Sequence, residues 1–280
     1  MSYKSIILTA SGSVEDTKTA IVAARLAKRA GSQIRCIPVF PDLAADLVYY
    51  GVTLNRAVES AAVERVRASE QVTQERLETV VREAAQREGL APAAIIVEKR
   101  ELHPAFALAP AATLADLVVF GAHAVRESLE LAGIFAETLL TARAPLLLVK
   151  NEEFEFGPAA IAWDGSAQAG RAVRAAMPLL QAARGVLVIT NTEGRRGDAL
   201  AASLERLRGY LALHGVEKVM LSEIQGDNVA TSLLDAAVAE HCDMLVSGAY
   251  GRPRLFELAL GGTTRALVNA KTGPHLLLAH

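Results

Sequence analysis

ADLVVFGAHAVRESLELAG, at residues 115–133, recurs in altered form as CDMLVSGAYGRPRLFELALGG, at residues 242–262. The stretches that follow, TARAPLLLVK at 141–150 and NAKTGPHLLLAH at 269–280, resemble each other in the same way. Self-similarity of this kind indicates two copies of one structural unit. We therefore expect the two copies to share one fold.

Each copy alternates short apolar runs with longer segments of helical period, which is typical of a parallel sheet covered by helices. We predict an α/β protein of two tandem Rossmann-like domains, residues 1–150 and 151–280, each with a five-stranded parallel sheet and helices on both faces. The stretch NEEFEFGP joins them. The predicted strands are SIILTA, IRCIPVF, AAIIVE, DLVVFGA and PLLLVK, then AAIAWDGS, GVLVITN, EKVMLSE, CDMLVSGA and PHLLLAH. The predicted helices are 15–29, 55–88, 105–115, 136–142, 167–183, 196–214, 229–241 and 263–270.

Composition and charge argue against several classes of protein. With 29 Lys and Arg against 31 Asp and Glu, the formal charge is −2, so no net field draws the molecule toward nucleic acid or an anionic membrane. The apolar runs are too short for a membrane span or for a signal peptide, and we expect a cytoplasmic protein. Cys36 and Cys242 lie in separate apolar stretches and are expected to be buried, reduced thiols.

The final apolar strand, PHLLLAH, raises the question of what covers its edge. An unpaired apolar edge invites pairing with another strand. We predict that the two domains pair with each other as an intramolecular pseudo-dimer, with further dimerisation left open.

Four glycines surround a polar, partly basic stretch in the second copy. Glycine lets the backbone approach an anion closely, and a helix N-terminus adds unpaired N–H groups and a partial positive charge. A threonine at the start of the next helix can supply its N-cap hydroxyl or a further hydrogen bond to phosphate. A tight packing corner explains the glycines equally well. The candidate residues are Gly248, Gly251, Arg252, Gly261, Gly262, Thr263 and Thr264.

Asp164 follows the first strand of the same copy, in AWDGS. Ligands of open parallel sheets bind at the carboxyl ends of the strands, near the point where the strand order reverses. If the first and fourth strands are neighbours, Asp164 faces the Gly248 segment, where its carboxylate suits a ribose hydroxyl or an adenine amino group. The alternative is structural: Asp164 forms an Asx turn and Ser166 caps the next helix.

Together, AWDGS and GAYGRPRLFELALGGT resemble the universal stress protein family, and the doubled unit resembles its tandem members. The nucleotide-binding members have two residues between the first glycines, nine before the third, and then Ser or Thr. Gly248, Gly251 and Gly261 fit this spacing. The resemblance implies that Asp164 contacts the adenosine part of ATP, that Gly248 lies beside the ribose, and that later amides bind phosphates, with Mg²⁺ as a possible bridge. Gly262 stands where the family has a hydroxyl.

The first copy departs from that pattern. Ser11 stands in place of the acid, Ala124 replaces the second glycine, and Gly133 comes one residue early. Glu137 adds a carboxylate near the expected helix start, which disfavours phosphate. The resemblance therefore implies a nucleotide site in the second copy and a degenerate, structural first copy.

The sequence shows no catalytic motif: the six histidines lack metal-ligand spacing, and no P-loop lysine, nucleophile elbow or paired-carboxylate site appears. The leading hypothesis is a cytoplasmic stress-response protein that binds ATP or a related adenine nucleotide and is not an enzyme, with at most slow, incidental hydrolysis. The alternative is a nucleotide-free interaction protein that binds another small or lipid-like ligand or a protein partner. An adenylate-transferring enzyme is a third, disfavoured hypothesis.

Overall fold

The computed structural model describes residues 2–40, 56–100, 103–193, 197–249 and 262–280, with the backbone alone at 56–63, 105, 197 and 198. In these ranges the strands are β1 (Ser5–Ala10), β2 (Gln33–Pro38), β3 (Ile95–Val97), β4 (Leu117–Gly121), β5 (Leu146–Val149), β6 (Ala159–Ala162), β7 (Val186–Asn191), β8 (Val219–Ile224), β9 (Met244–Gly248) and β10 (His275–Ala279). The helices are α1 (Asp16–Ala30), α2 (Arg56–Arg87), α3 (Pro104–Ala112), α4 (Ala122–Glu127), α5 (Leu129–Leu140), α6 (Ala167–Ala182), α7 (Gly197–Leu213), α8 (Val229–Ala239) and α9 (Gly262–Asn269).

All ten strands belong to one sheet, in the order β3-β2-β1-β4-β5-β10-β9-β6-β7-β8. The five strands from each half of the chain run parallel to one another, and the two sets meet where β5 and β10 pair antiparallel, with Leu147 opposite Leu277. The α/β class is confirmed. The two halves also cover each other's inner edge, as predicted, so the fifth strand of each half is interior.

Two core layers lie on the two faces of this sheet, and each layer runs through both halves. Alternate residues of every inner strand enter different layers: Ile6 and Leu277 lie in one, Ile7 and Leu276 in the other. Helices α1, α2, α6 and α7 cover the first layer, and α3, α4, α5, α8 and α9 cover the second. Because each layer is shared, we expect the halves to stabilise each other.

Hydrogen bonds hold the segment between β5 and β6 against both halves. The Asp243 carboxylate accepts from the backbone N–H groups of Glu155 (2.9 Å) and Gly157 (2.7 Å). Arg25 Nη1, from α1, donates to the Phe154 carbonyl (3.1 Å). Asp116 does in the first copy what Asp243 does in the second, since it accepts from two backbone N–H groups that lead into β1. The repeated aspartate thus has the same role in both copies.

The segment after β4 differs from its prediction. We expected a loop followed by a helix at 136–142, but the chain forms α4 directly after Gly121 and then α5 from Leu129. Residues 122–132 contain no glycine or proline and are rich in good helix formers, and the Ser128 hydroxyl caps α5 by accepting from the Leu131 N–H (3.2 Å). Glu137 therefore lies late in α5, away from its start, so its carboxylate cannot disfavour phosphate as expected.

The longest helix in the described part of the chain is α2, with 32 residues, and charged side chains recur along its length. No helix described here is long and apolar enough to cross a membrane.

Candidate functional site

The strand order places a crevice between β6 and β9 in the C-terminal half. These strands are neighbours, with Ala162 opposite Ser247, and the order reverses between them. The expected adjacency of the first and fourth strands is confirmed, and it brings Asp164 and Gly248 to the same edge of the sheet. This is the position at which open α/β sheets bind ligands.

Asp164 occupies a turn that its own side chain stabilises. Its Oδ1 accepts from the Ser166 N–H (2.9 Å), and Gly165 adopts a φ of +74°. Ser166 is the N-cap of α6, where its Oγ accepts from the Ala169 N–H (3.1 Å). The Asx turn and the cap proposed as the structural alternative are therefore present. The Asp164 side chain is exposed at this edge of the sheet.

A hydrogen bond between Trp163 and α7 supports this turn. The Trp163 indole N–H donates to Ser203 Oγ (3.0 Å), and a Cβ placed on Gly165 would lie 2.7 Å from the same oxygen. Ser203 is buried. Sequence reasoning missed this residue, because a serine 40 positions from its partner carries no local motif.

Gly248 is required by the packing of α6. A Cβ at this position would lie 2.5 Å from the Ala169 nitrogen and 2.7 Å from the Gln168 carbonyl carbon. Because both are backbone atoms, a side chain cannot be accommodated without moving the helix. The first turn of α6 consequently lies directly against the end of β9. The adjacent Ala249 carbonyl contacts His280 Nδ1 at 3.0 Å, which places His280 beside the end of β9.

The remaining predicted residues divide into two groups. Gly251, Arg252 and Gly261 lie outside the described residues. Gly262, Thr263 and Thr264 form the first turn of α9. Neither threonine is the N-cap, which corrects that prediction: the helix already begins at Gly262, and the Thr264 side chain is buried instead.

Alanine at the two described candidate glycines should have opposite effects on stability. Gly248→Ala is expected to cost about 1–3 kcal/mol, as overpacking of a close-packed contact does. Gly262→Ala is the matched control, since no described atom lies within 4 Å of its Cβ position, and it should be neutral or stabilise α9 by up to about 1 kcal/mol. Urea unfolding of both variants measures the difference. Equal effects would contradict the close approach of α6 to Gly248.

The matching position in the N-terminal half lies between β1 and β4, and there the side chains of His123, Asp16 and Ser11 contact one another. His123 Nε2 lies 3.2 Å from Asp16 Oδ1 and 3.4 Å from Ser11 Oγ. Asp16 Oδ2 accepts from the Gly12 N–H (2.7 Å). Sequence reasoning missed Asp16. Its position in the first turn after SGS, in SGSVED, is the signal that points to it.

No protein-family model matches the sequence, and no curated protein matches it. Solved structures do match over nearly the whole chain. A universal stress protein from Archaeoglobus fulgidus DSM 4304 is 13% identical, with a TM-score of 0.71 over 99% of this chain and 96% of that chain. A functionally unknown protein from Pseudomonas aeruginosa PAO1 is 14% identical, with a TM-score of 0.56 over 99% of this chain and 92% of that chain.

A third structure, from Pseudomonas aeruginosa UCBPP-PA14 and provisionally named a universal stress protein, is 15% identical, with a TM-score of 0.56 over 99% of this chain and 93% of that chain. Identities this low show the fold, and fold alone does not carry function. The predicted likeness to tandem universal stress proteins is confirmed at the level of the fold.

Proposed function

We propose that the C-terminal half binds ATP or a related adenine nucleotide in the crevice between β6 and β9, and that the protein acts in stress response as a nucleotide-responsive binding protein. The observation that carries the proposal is the placement of Asp164 and Gly248 at neighbouring strand ends, where the order of the sheet reverses. The carboxylate accepts hydrogen bonds from a ribose hydroxyl or an adenine amino group.

The direction of α9 supports a phosphate position at the same edge. Strands β9 and β10 are parallel, so the helix that connects them runs back from the carboxyl edge to the amino edge of the sheet. The N-terminal end of α9, at Gly262, is therefore directed toward the carboxyl edge, and the first N–H groups of a helix have no partner within the helix itself. In this proposal Mg²⁺ arrives with the nucleotide as a counter-ion of its phosphates.

Binding without fast turnover is the activity that these groups support. The described side chains at the crevice edge are a carboxylate in an Asx turn, a serine used as a helix cap, and a histidine against a backbone carbonyl. In this proposal Asp164 supplies an acceptor for the ligand, and Ser166 caps α6. The proposed protein is a nucleotide sensor, with hydrolysis slow and incidental.

Titration with a fluorescent ATP analogue tests the proposal, and Trp163, the only tryptophan in the sequence, provides a second signal one residue from Asp164. We expect saturable binding that weakens at least about tenfold, or 1.4 kcal/mol, in the double variant Asp164→Ala, Gly251→Val. Asp164→Asn should keep the turn and lose only the charge. Ser11→Ala, at the corresponding place in the other half, is the control and should leave affinity unchanged.

Absence of saturable binding, or equal affinity in the double variant, would refute the proposal. Native mass spectrometry of the gently purified protein then separates the alternatives. A mass increment equal to an adenine nucleotide supports the proposal. A different adduct would favour a non-nucleotide ligand of the same crevice.

A further inference from the structure

In the N-terminal half, the position that corresponds to the crevice between β6 and β9 is occupied by a side chain of the same half, that of His123. Strands β1 and β4 are neighbours, and the His123 ring lies between their carboxyl ends. A Cβ placed on Gly121 would lie 2.7 Å from His123 Nδ1 and 2.8 Å from Thr19 Oγ1, so the ring lies flush against glycine backbone. Both His123 (8% exposed) and Asp16 (3% exposed) are buried.

The two copies differ in the residue that follows their first strand. Ser11 and Gly12 stand where the second copy has Asp164 and Gly165, and both glycines have positive φ, +82° and +74°. The acid of the first copy is Asp16, five positions after Ser11 and in the first turn of α1. The turn is present in both copies. In the first copy the imidazole of His123 faces the Asp16 carboxylate.

Asp16 acts as a convergent acceptor. It receives hydrogen bonds from the Gly12 N–H (2.7 Å) and Ser11 Oγ (3.2 Å), and its Oδ1 faces the His123 ring nitrogen at 3.2 Å. A carboxylate that is fixed by a backbone N–H donor, close to the Gly121 backbone, suits a planar ring that presents an N–H in its own plane. The charged neighbours are at the rim: Arg76 of α2 donates to the Gly12 carbonyl (2.6 Å), and Lys18 pairs with Glu15 (2.6 Å).

We propose that the crevice of the N-terminal half is a binding site for a planar nitrogen heterocycle, and that the His123 imidazole occupies it as a built-in ligand. The site is closed to external ligands while the ring is in place. Removing the ring leaves a space beside Asp16, Ser11 and the Gly121 backbone. This space accepts a free heterocycle of the same shape and donor pattern. The proposal is independent of nucleotide binding in the other half.

The test is complementation of His123→Gly by free imidazole. The variant should melt below the wild-type protein, and its melting temperature should rise by about 5 °C when imidazole reaches about 100 times its Kd. The wild-type protein should show no such rise. Isothermal titration should give one imidazole site in His123→Gly, with affinity reduced at least about tenfold when Asp16→Asn is added.

His241→Gly is the matched control, because His241 is an exposed histidine with a φ of +51°, where glycine fits without strain. Imidazole should not stabilise this control. Equal stabilisation of both variants, or no saturable uptake by folded His123→Gly, would overturn the proposal. If His123→Gly does not fold, ¹⁵N spectra of the wild-type imidazole decide: a proton on Nε2 supports donation to Asp16, and an unprotonated Nε2 refutes it.

Discussion

Replacing Leu277 with alanine is expected to lower the free energy of unfolding of the entire chain by about 3–5 kcal/mol, within the range of large-to-small core substitutions. Leu277 is fully buried at the centre of the ten-stranded sheet, opposite Leu147 of β5 on one side and Val246 of β9 on the other. The cavity would open in a core layer that both halves share. Both halves should therefore lose stability together.

Urea unfolding checks this result with two probes. Trp163 fluorescence reports on the C-terminal half, and far-ultraviolet circular dichroism reports on the helices of both halves. The two curves should coincide and shift to lower urea by the same amount. Leu213→Ala is the control: Leu213 is 87% exposed, and its removal should change stability by less than about 0.5 kcal/mol. Separate transitions for the two probes would show that the halves unfold independently.

The strands were predictable because a buried parallel strand leaves a short apolar run between helical segments, and each of the ten predicted runs overlaps a strand. The boundaries of α4 and α5 were not. We predicted a loop at residues 122–132 by analogy with the glycine-rich stretch of the second copy, although the composition of these residues favours a helix. The antiparallel pairing of β5 with β10 was also outside local reasoning, since periodicity identifies a strand but does not give the direction of its partner.

The candidate site, too, was only partly accessible to local sequence reasoning. The placement of Asp164 and Gly248 at the same edge of the sheet was predicted on the condition that the first and fourth strands are neighbours, and β6 and β9 meet that condition. The Trp163–Ser203 contact joins residues 40 positions apart, and the Ser11–His123 contact joins residues 112 positions apart. Such contacts depend on how helices pack over the sheet, for which residue identity gives no local signal.

His275 gives the fold a dependence on pH. It lies at the start of β10 and is 1% exposed. Its Nδ1 accepts from the Lys150 N–H (3.2 Å), its Nε2 faces the Glu153 carbonyl (3.1 Å), and its ring packs against Phe154 at 5.3 Å. Burial lowers the pKa of His275 from 6.5 to about 4, and the partly compensating hydrogen bond to the Glu153 carbonyl is the weaker effect. The folded state therefore holds the imidazole neutral, as the junction between the halves requires.

The sign of the pH effect follows from this lowered pKa. Between pH 6.5 and pH 4 the unfolded chain binds a proton that the folded chain does not, so stability is fully present above pH 6.5 and falls as the pH decreases. The expected loss is about 3 kcal/mol by pH 4, from 1.36 kcal/mol per pKa unit. Urea midpoints measured at pH 7 and pH 4.5 should show most of this loss in the wild-type protein.

His275→Gln isolates the contribution, because glutamine keeps a hydrogen-bonding side chain and does not titrate. The variant should be less stable than wild type at pH 7, and its decline between pH 7 and pH 4.5 should be smaller by about 2 kcal/mol. All other titrating groups are common to both proteins and cancel in the difference. His241→Gln, at an exposed position, should retain the wild-type decline. Parallel declines in wild type and His275→Gln would show that the junction tolerates a charged imidazole.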